Sequence, residues 1–176
     1  MRESIFQKEW LSSWLHHVPF AHGWKIPDAP RSAESRFIPP KPYDCYAWVA
    51  GRFVAMELKW QKTVSSFPFS SVSDWQLQNL RQVVDNGGSA FIVLNIRAAQ
   101  IPEKTMKRCG LEGRRMNITL PISVKFYDDM DRVHQRASIP FEDLYYNSRI
   151  KKIEWDSKTG TWDIPAFLMQ VKEELK

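Results

Sequence analysis

At 176 residues and 43% hydrophobic content, the chain suits one domain of ordinary size with a single core. Its formal net charge of +5 and pI of about 9.2 suit a polyanionic ligand without specifying a fold. Two distant cysteines, Cys45 and Cys109, exclude a disulfide framework and a CxxC zinc site. No apolar run of secretory or membrane-spanning length is present, so a reducing, cytoplasmic setting with no membrane partner is expected. His16, His17, His22 and His134 have no metal-ligand spacing.

The first predicted element is a helix over residues 4–17, where Phe6, Trp10, Leu11, Trp14 and Val18 recur on one side. On that wheel Glu3 projects into the middle of the apolar face and Glu9 points well away from it. A carboxylate aimed at a core needs a partner, because burying a charge alone is costly. Residues 19–43 are proline-rich and irregular, with room for a short strand around Gly23–Ile26. Two extended runs follow, Tyr43–Val49 and Arg52–Trp60, with Ala50–Gly51 as the turn. In the second run Phe53, Ala55, Glu57 and Lys59 share one face, and Val54, Met56, Leu58 and Trp60 the other. Both faces start apolar, as in a strand covered on both sides, but one then ends in a carboxylate and an amine. Such a break in pattern is where function is expected.

Thr63–Ser71 is a polar loop carrying Phe67-Pro68-Phe69. Ser73-Asp74-Trp75-Gln76 is a capping box opening a helix to about Val84, which Asn86-Gly87-Gly88 stops. Ala90–Ile96 is a continuous apolar run and predicts a buried strand. Residues 97–122 are expected to form a long basic loop or insertion, with Arg97, Lys104, Lys107, Arg108, Arg114 and Arg115 as candidate contacts to a polyanion. Extended runs are predicted at Ile118–Tyr127 and Gln135–Pro140. A last amphipathic helix follows Asp163, with Phe167, Leu168, Val171 and Leu175 inward. The order predicts a single α/β domain over residues 1–176, a mixed central sheet flanked by helices, with its core in about 1–97 and 123–176.

Asp44 stands at the start of one strand of the hairpin, and Glu57 and Lys59 at the end of the other. The hairpin therefore brings Asp44 close to Glu57. Two carboxylates at one sheet edge repel each other unless a cation joins them. Mg2+ fits, since it takes hard oxygen ligands and keeps several waters; Mn2+ is a candidate substitute. A Lys beside a metal-bound water can orient or help activate that nucleophile, while the metal polarises a scissile phosphate. A bare ExK is frequent as an ordinary surface pair, and the upstream Asp is what adds weight.

The run Pro42-Tyr43-Asp44, then Gly51-Arg52-Phe53-Val54-Ala55-Met56-Glu57-Leu58-Lys59, resembles the motif of the RecU-type Holliday junction resolvases, members of the PD-(D/E)XK nuclease superfamily. The resemblance continues through Ser66-Phe67-Pro68-Phe69, Asp74-Trp75-Gln76-Leu77-Gln78-Asn79-Leu80 and Gly87-Gly88-Ser89-Ala90-Phe91-Ile92-Val93, and so covers residues 42–96. It implies a restriction-endonuclease-like (PD-(D/E)XK) core and a homodimer that cuts four-way DNA junctions with magnesium. By that resemblance Asp44 and Glu57 are metal ligands, helped by the carbonyl of Leu58, and Lys59 is the catalytic lysine. Gln76 matches a Gln that faces the site from the following helix, and Glu3 fits the acidic residue of the first helix better than Glu9. The chain also departs from the RecU pattern. The Ala29–Lys41 region is too short for the projecting stalk, Trp75 stands where the family has His, and residues 97–115 have no counterpart. A repair or restriction-type nuclease without junction specificity, and a catalytically silent DNA-binding factor on the same fold, stay open as alternatives.

Overall fold

A computed structural model describes residues 3–18, 23–27, 40–111, 115–134 and 136–174 of the chain. The first helix, α1 (Glu3–His17), is followed by β1 (Gly23–Lys25), β2 (Cys45–Val49) and β3 (Arg52–Gln61). The turn between β2 and β3 holds Ala50 at φ 50° and Gly51 at φ 78°. Two consecutive left-handed residues make the two-residue hairpin turn whose twist matches its strands. Ala50 adopts that conformation at a cost of roughly 1–2 kcal/mol, because its Cβ crowds the next carbonyl. The turn sets the register: Val49 pairs with Arg52, and Cys45 with Met56. One step beyond that last pair, Asp44 comes beside Glu57.

After β4 (Phe67–Pro68) and one 3-10 turn come α2 (Asp74–Asp85) and β5 (Ser89–Ala98). The predicted capping box is present at Ser73 and Gln76. Gly88 lets the chain leave α2 tightly against the hairpin: a Cβ there would lie 2.8 Å from the Phe53 carbonyl oxygen. β5 runs parallel to β3, with Glu57 beside Ile92 and Lys59 beside Leu94.

The chain continues through α3 (Glu103–Arg108), β6 (Met116–Ser123), α4 (Val124–His134), β7 (Ser138–Ile139), α5 (Phe141–Tyr145), β8 (Ile153–Asp156), β9 (Thr161–Trp162) and α6 (Ile164–Glu174). Two expectations are corrected here. Residues 97–122 are not a long loop. β5 and β6 pair out to Arg97↔Asn117 and Ala98↔Met116, and α3 spans much of the connection. Ile118–Tyr127 is not extended throughout. The strand stops at Ser123, whose Oγ accepts the Phe126 N–H at 3.3 Å, and α4 begins. Val124, Phe126 and Tyr127 are all buried, so their spacing looked like a strand but serves one side of a helix. Pro121 is tolerated inside β6 because β8 pairs with that strand at Ile118 and Thr119, leaving the proline at an edge. Leu175, expected to face inward, lies outside the described residues, as does most of the Ala29–Lys41 segment.

The main sheet has the order β1-β2-β3-β5-β6-β8-β9, and β4 pairs with β7 in a separate ribbon. The β3–β5 pair is parallel and its other neighbours are antiparallel, so the fold is mixed α/β with helices on both faces, as expected. On one face Phe6, Trp10 and Trp14 of α1 and Phe167 of α6 pack over Met56, Leu58 and Phe91. On the other, Leu77 and Leu80 of α2 and Phe126 and Tyr127 of α4 pack over Ala55, Ile92 and Leu94. Arg81 of α2 ties itself to Asp128 of α4 by a two-pronged contact at 2.6–3.2 Å. Among the described residues no helix is long and apolar enough to cross a membrane.

Candidate active site

The β3 face that carries Phe53 and Ala55 ends in Glu57 and Lys59, where the α2 side of the core gives out. Asp44 and Glu57 are 2% and 1% exposed and are the only buried carboxylates among the described residues. Their surroundings differ. Asp44 Oδ2 accepts the Leu58 N–H at 2.9 Å, and Oδ1 meets Lys41 Nζ at 2.6 Å. Glu57 Oε1 meets Lys59 Nζ at 2.8 Å and accepts from Gln76 Nε2 at 2.6 Å. Glu57 Oε2 is buried with no hydrogen-bond partner.

Gln76 does two jobs at once. Its Oε1 accepts the Ser73 N–H at 3.1 Å and completes the capping box, which directs its Nε2 at Glu57. Its position at the third residue of α2 is thus what reaches the end of β3. Burial, with Asp44 alongside, pushes the Glu57 carboxyl up to about 7 although Lys59 pulls the other way. Burial likewise pushes the Cys45 thiol well up, with Asp44 and Glu57 adding to it, so this buried cysteine is no nucleophile.

The sequence wheel put Glu3 in the middle of the apolar face, and this is corrected: Glu3 is exposed. The buried stripe begins one turn later, at Phe6, so position 3 overhangs the end of the core. Its electrostatic neighbours are nevertheless Lys59, Asp44 and Lys41, and partial burial is the leading cause that raises its carboxyl. Glu3 therefore borders the same site. Glu9 instead meets Arg97 of β5, at 2.6 and 3.3 Å through its two oxygens.

The basic candidates do not converge on Asp44 and Glu57. Arg97 bonds Glu9 and Asn117 and lies 5.7 Å from the Trp162 ring centre. Lys107 pairs with Glu103 within α3, and Arg108 with Glu142 of α5. Lys104 and Arg115 are exposed, and Arg114 lies outside the described residues. Leu58 turns its side chain into the α1–α6 core. Lys41 was missed by the sequence reading. Its signal was a cation three residues before Asp44, but the flanking Pro40 and Pro42 supply no periodicity that could have placed it.

No family model matches the chain, and no curated protein matches it. Among solved structures it is similar to Archaeoglobus fulgidus Hjc, described as a Holliday junction resolvase from an archaeal hyperthermophile. The two are 15% identical, with 81% of this chain and 90% of that chain covered, at a TM-score of 0.48.

Among the described residues no three His, Cys, Asp or Glu side chains converge into a protein-only metal centre. A hard divalent cation does not need one. Mg2+ is commonly bound by one or two carboxylates together with waters and substrate phosphate. Two buried carboxylates, one with an oxygen lacking any partner, have the donor chemistry for such an ion. A buried carboxylate oxygen without a hydrogen bond is otherwise costly, by about 1–3 kcal/mol or more for a charged group.

Proposed function

We propose that the chain is a divalent-metal-dependent endonuclease that hydrolyses DNA phosphodiester bonds, and that its substrate is the four-way DNA junction. The observation that carries the nuclease reading is the bare Glu57 Oε2, buried beside Asp44 and a lysine. Asp44 and Glu57 would hold Mg2+, or Mn2+ in its place, with the Leu58 carbonyl as a third ligand. When bound, that ion supplies polarisation of the scissile phosphate and a water of lowered pKa.

This chain's own residues do the rest. Gln76 and Lys59 both engage Glu57 Oε1, which leaves the other oxygen available to the proposed ion. The Leu58 N–H anchors Asp44 against β3, so the two carboxylates keep a set separation. Lys59 would orient the attacking water and offset charge on the phosphate as it becomes five-coordinate. Glu3, exposed at the border of the site, would orient water there. Exposed Lys104 and Arg115, with Lys107, Arg108 and Arg114 of the same connection, are the DNA-backbone contacts in this reading, and Arg97 is at most a secondary one. Cutting a two-fold symmetric junction on two strands calls for two sites, hence a homodimer. The junction preference itself rests on the RecU-type resemblance of residues 42–96.

The test is cleavage of a synthetic four-way junction, a linear duplex and a supercoiled plasmid, with Mg2+ and with EDTA. The expected result is Mg2+-dependent paired nicking of the junction, with the duplex spared. Glu57→Gln should lower the rate by about 10³-fold, the scale of losing a metal that supplies several kcal/mol. Its DNA affinity should be kept or raised, since a negative charge facing phosphate is removed. Equal cutting of junction and duplex would make the protein a general nuclease. Full Mg2+-dependent activity in Glu57→Gln would overturn the site.

A further inference from the structure

The two carboxylates of the site are not in the same state of readiness. Glu57 concentrates its partners on Oε1 and presents Oε2 bare. Asp44 uses Oδ2 for the Leu58 N–H and Oδ1 for Lys41, so neither oxygen is left over. A Mg2+ ligand bond is about 2.0–2.1 Å long. The Lys41 ammonium, at 2.6 Å from Oδ1, already serves as the cation of that oxygen. Two cations on one buried carboxylate oxygen lie only a few ångström apart and repel strongly in a poorly screened place.

Lys41 also lies among all three acids of the site. Its charge acts on Glu57 and on Glu3 as well as on Asp44. Its side chain is 25% exposed, whereas the Asp44 side chain it meets is 3% exposed. The carboxylate is therefore anchored and the lysine has a way out. A four-carbon stem with a strongly hydrated point charge tolerates such a move.

Resting on the metal-dependent nuclease reading above, we propose that Lys41 is a placeholder cation. It neutralises Asp44 until a divalent ion displaces it from that carboxylate, and its ammonium then contacts a phosphate of the bound DNA. Arrival of the ion thereby opens the second ligand and adds a DNA contact in one event. Lys59 does not share this role, because its partner Glu57 keeps an oxygen open beside the pair.

The experiment measures Mn2+ binding to the full chain without DNA by calorimetry, for wild type, Lys41→Met, Lys41→Arg and Glu57→Gln. Circular dichroism confirms that each variant is folded. Lys41→Met should bind Mn2+ about tenfold more tightly, the scale of one charge-assisted bond no longer displaced. Lys41→Arg, which keeps the cation, should stay within a few-fold of wild type, and Glu57→Gln should lose binding. Junction binding with Ca2+ in place of Mg2+, across a salt series, reads the second half. Lys41→Met should lower the log–log salt slope by about 0.9, one phosphate contact.

Unchanged or weaker Mn2+ binding in folded Lys41→Met, with binding still dependent on Glu57, overturns the placeholder role alone. Mn2+ binding that ignores Glu57→Gln, or is absent from wild type, overturns the metal site and this inference with it. Tighter Mn2+ binding with an unchanged salt slope overturns the DNA contact.

Discussion

Glu9–Arg97 and Glu57–Lys59 are both acid–base pairs largely withdrawn from solvent, and they are built in opposite ways. Glu9 gives each of its two oxygens to the Arg97 guanidinium, which also bonds Asn117 and sits near the Trp162 ring. Glu57 gives one oxygen to both Lys59 and Gln76 and leaves the other bare. A planar fork matches a carboxylate on both oxygens, while an ammonium is a point charge that can engage one. The first pair closes α1 onto the sheet. The second leaves a buried carboxylate oxygen without a hydrogen-bond partner at the end of β3, an arrangement that is costly unless something else engages it.

The largest effect expected from this contrast is on turnover. Lys59→Ala should slow cleavage by about 10²–10⁴-fold, the range of one positioned proton-transfer or orienting group, with little change in DNA affinity. Single-turnover rates and equilibrium binding measured side by side separate the two. Equal losses in both would make Lys59 a phosphate anchor and erase its difference from the surface lysines.

Next in size is the effect on stability. Glu9→Gln strips a charge partner from Arg97, whose side chain is 17% exposed. Breaking a largely buried pair in this way should cost about 3 kcal/mol. Urea unfolding would read that loss, while cleavage at low temperature should persist. A stable but inactive Glu9→Gln would move this pair from the scaffold into the site.

The smallest effect, and the sharpest in sign, is pH dependence. Glu57 titrates at about 7 in the folded protein against an ordinary value of 4.5, so the folded chain holds a proton that the unfolded chain has lost between those values. Its contribution to metal-free stability is therefore fully present below the unfolded value and falls as pH rises toward 7. Divalent cations compete with that proton, so cleavage should rise about tenfold per pH unit up to about 7 and then level. Thermal melts of the metal-free protein across this range should slope downward, and Glu57→Gln should flatten them. A rising slope would mean that Lys59 outweighs burial.

Much of the scaffold was legible because its signals are local. The helical spacing of Phe6, Trp10 and Trp14, the Ala50–Gly51 turn, the Ser73 capping box and the apolar run of β5 each specify a few consecutive residues, and each is present. α4 was misread because Val124 and Phe126 alternate like a strand, and only the Ser123 cap and packing against α2 distinguish the two. α3 was hidden inside a charged segment whose ion pairs reach α5, a partner that sequence proximity does not indicate. Glu3 was misplaced because a helical wheel has no ends: it reports direction around the axis, not where the core stops along it.

The sequence by itself determined that one strand carries Glu57 and Lys59 on a single face, and that a two-residue turn returns Asp44 beside them. Period and turn chemistry are properties of neighbouring residues, so they can be read from the chain. Only the tertiary structure decided that Gln76 reaches from α2 to the same Glu57 oxygen as Lys59, that Lys41 closes off Asp44, and that Glu57 Oε2 has no partner. Whether a buried oxygen is satisfied depends on every group around it, and those groups come from segments far apart in the chain.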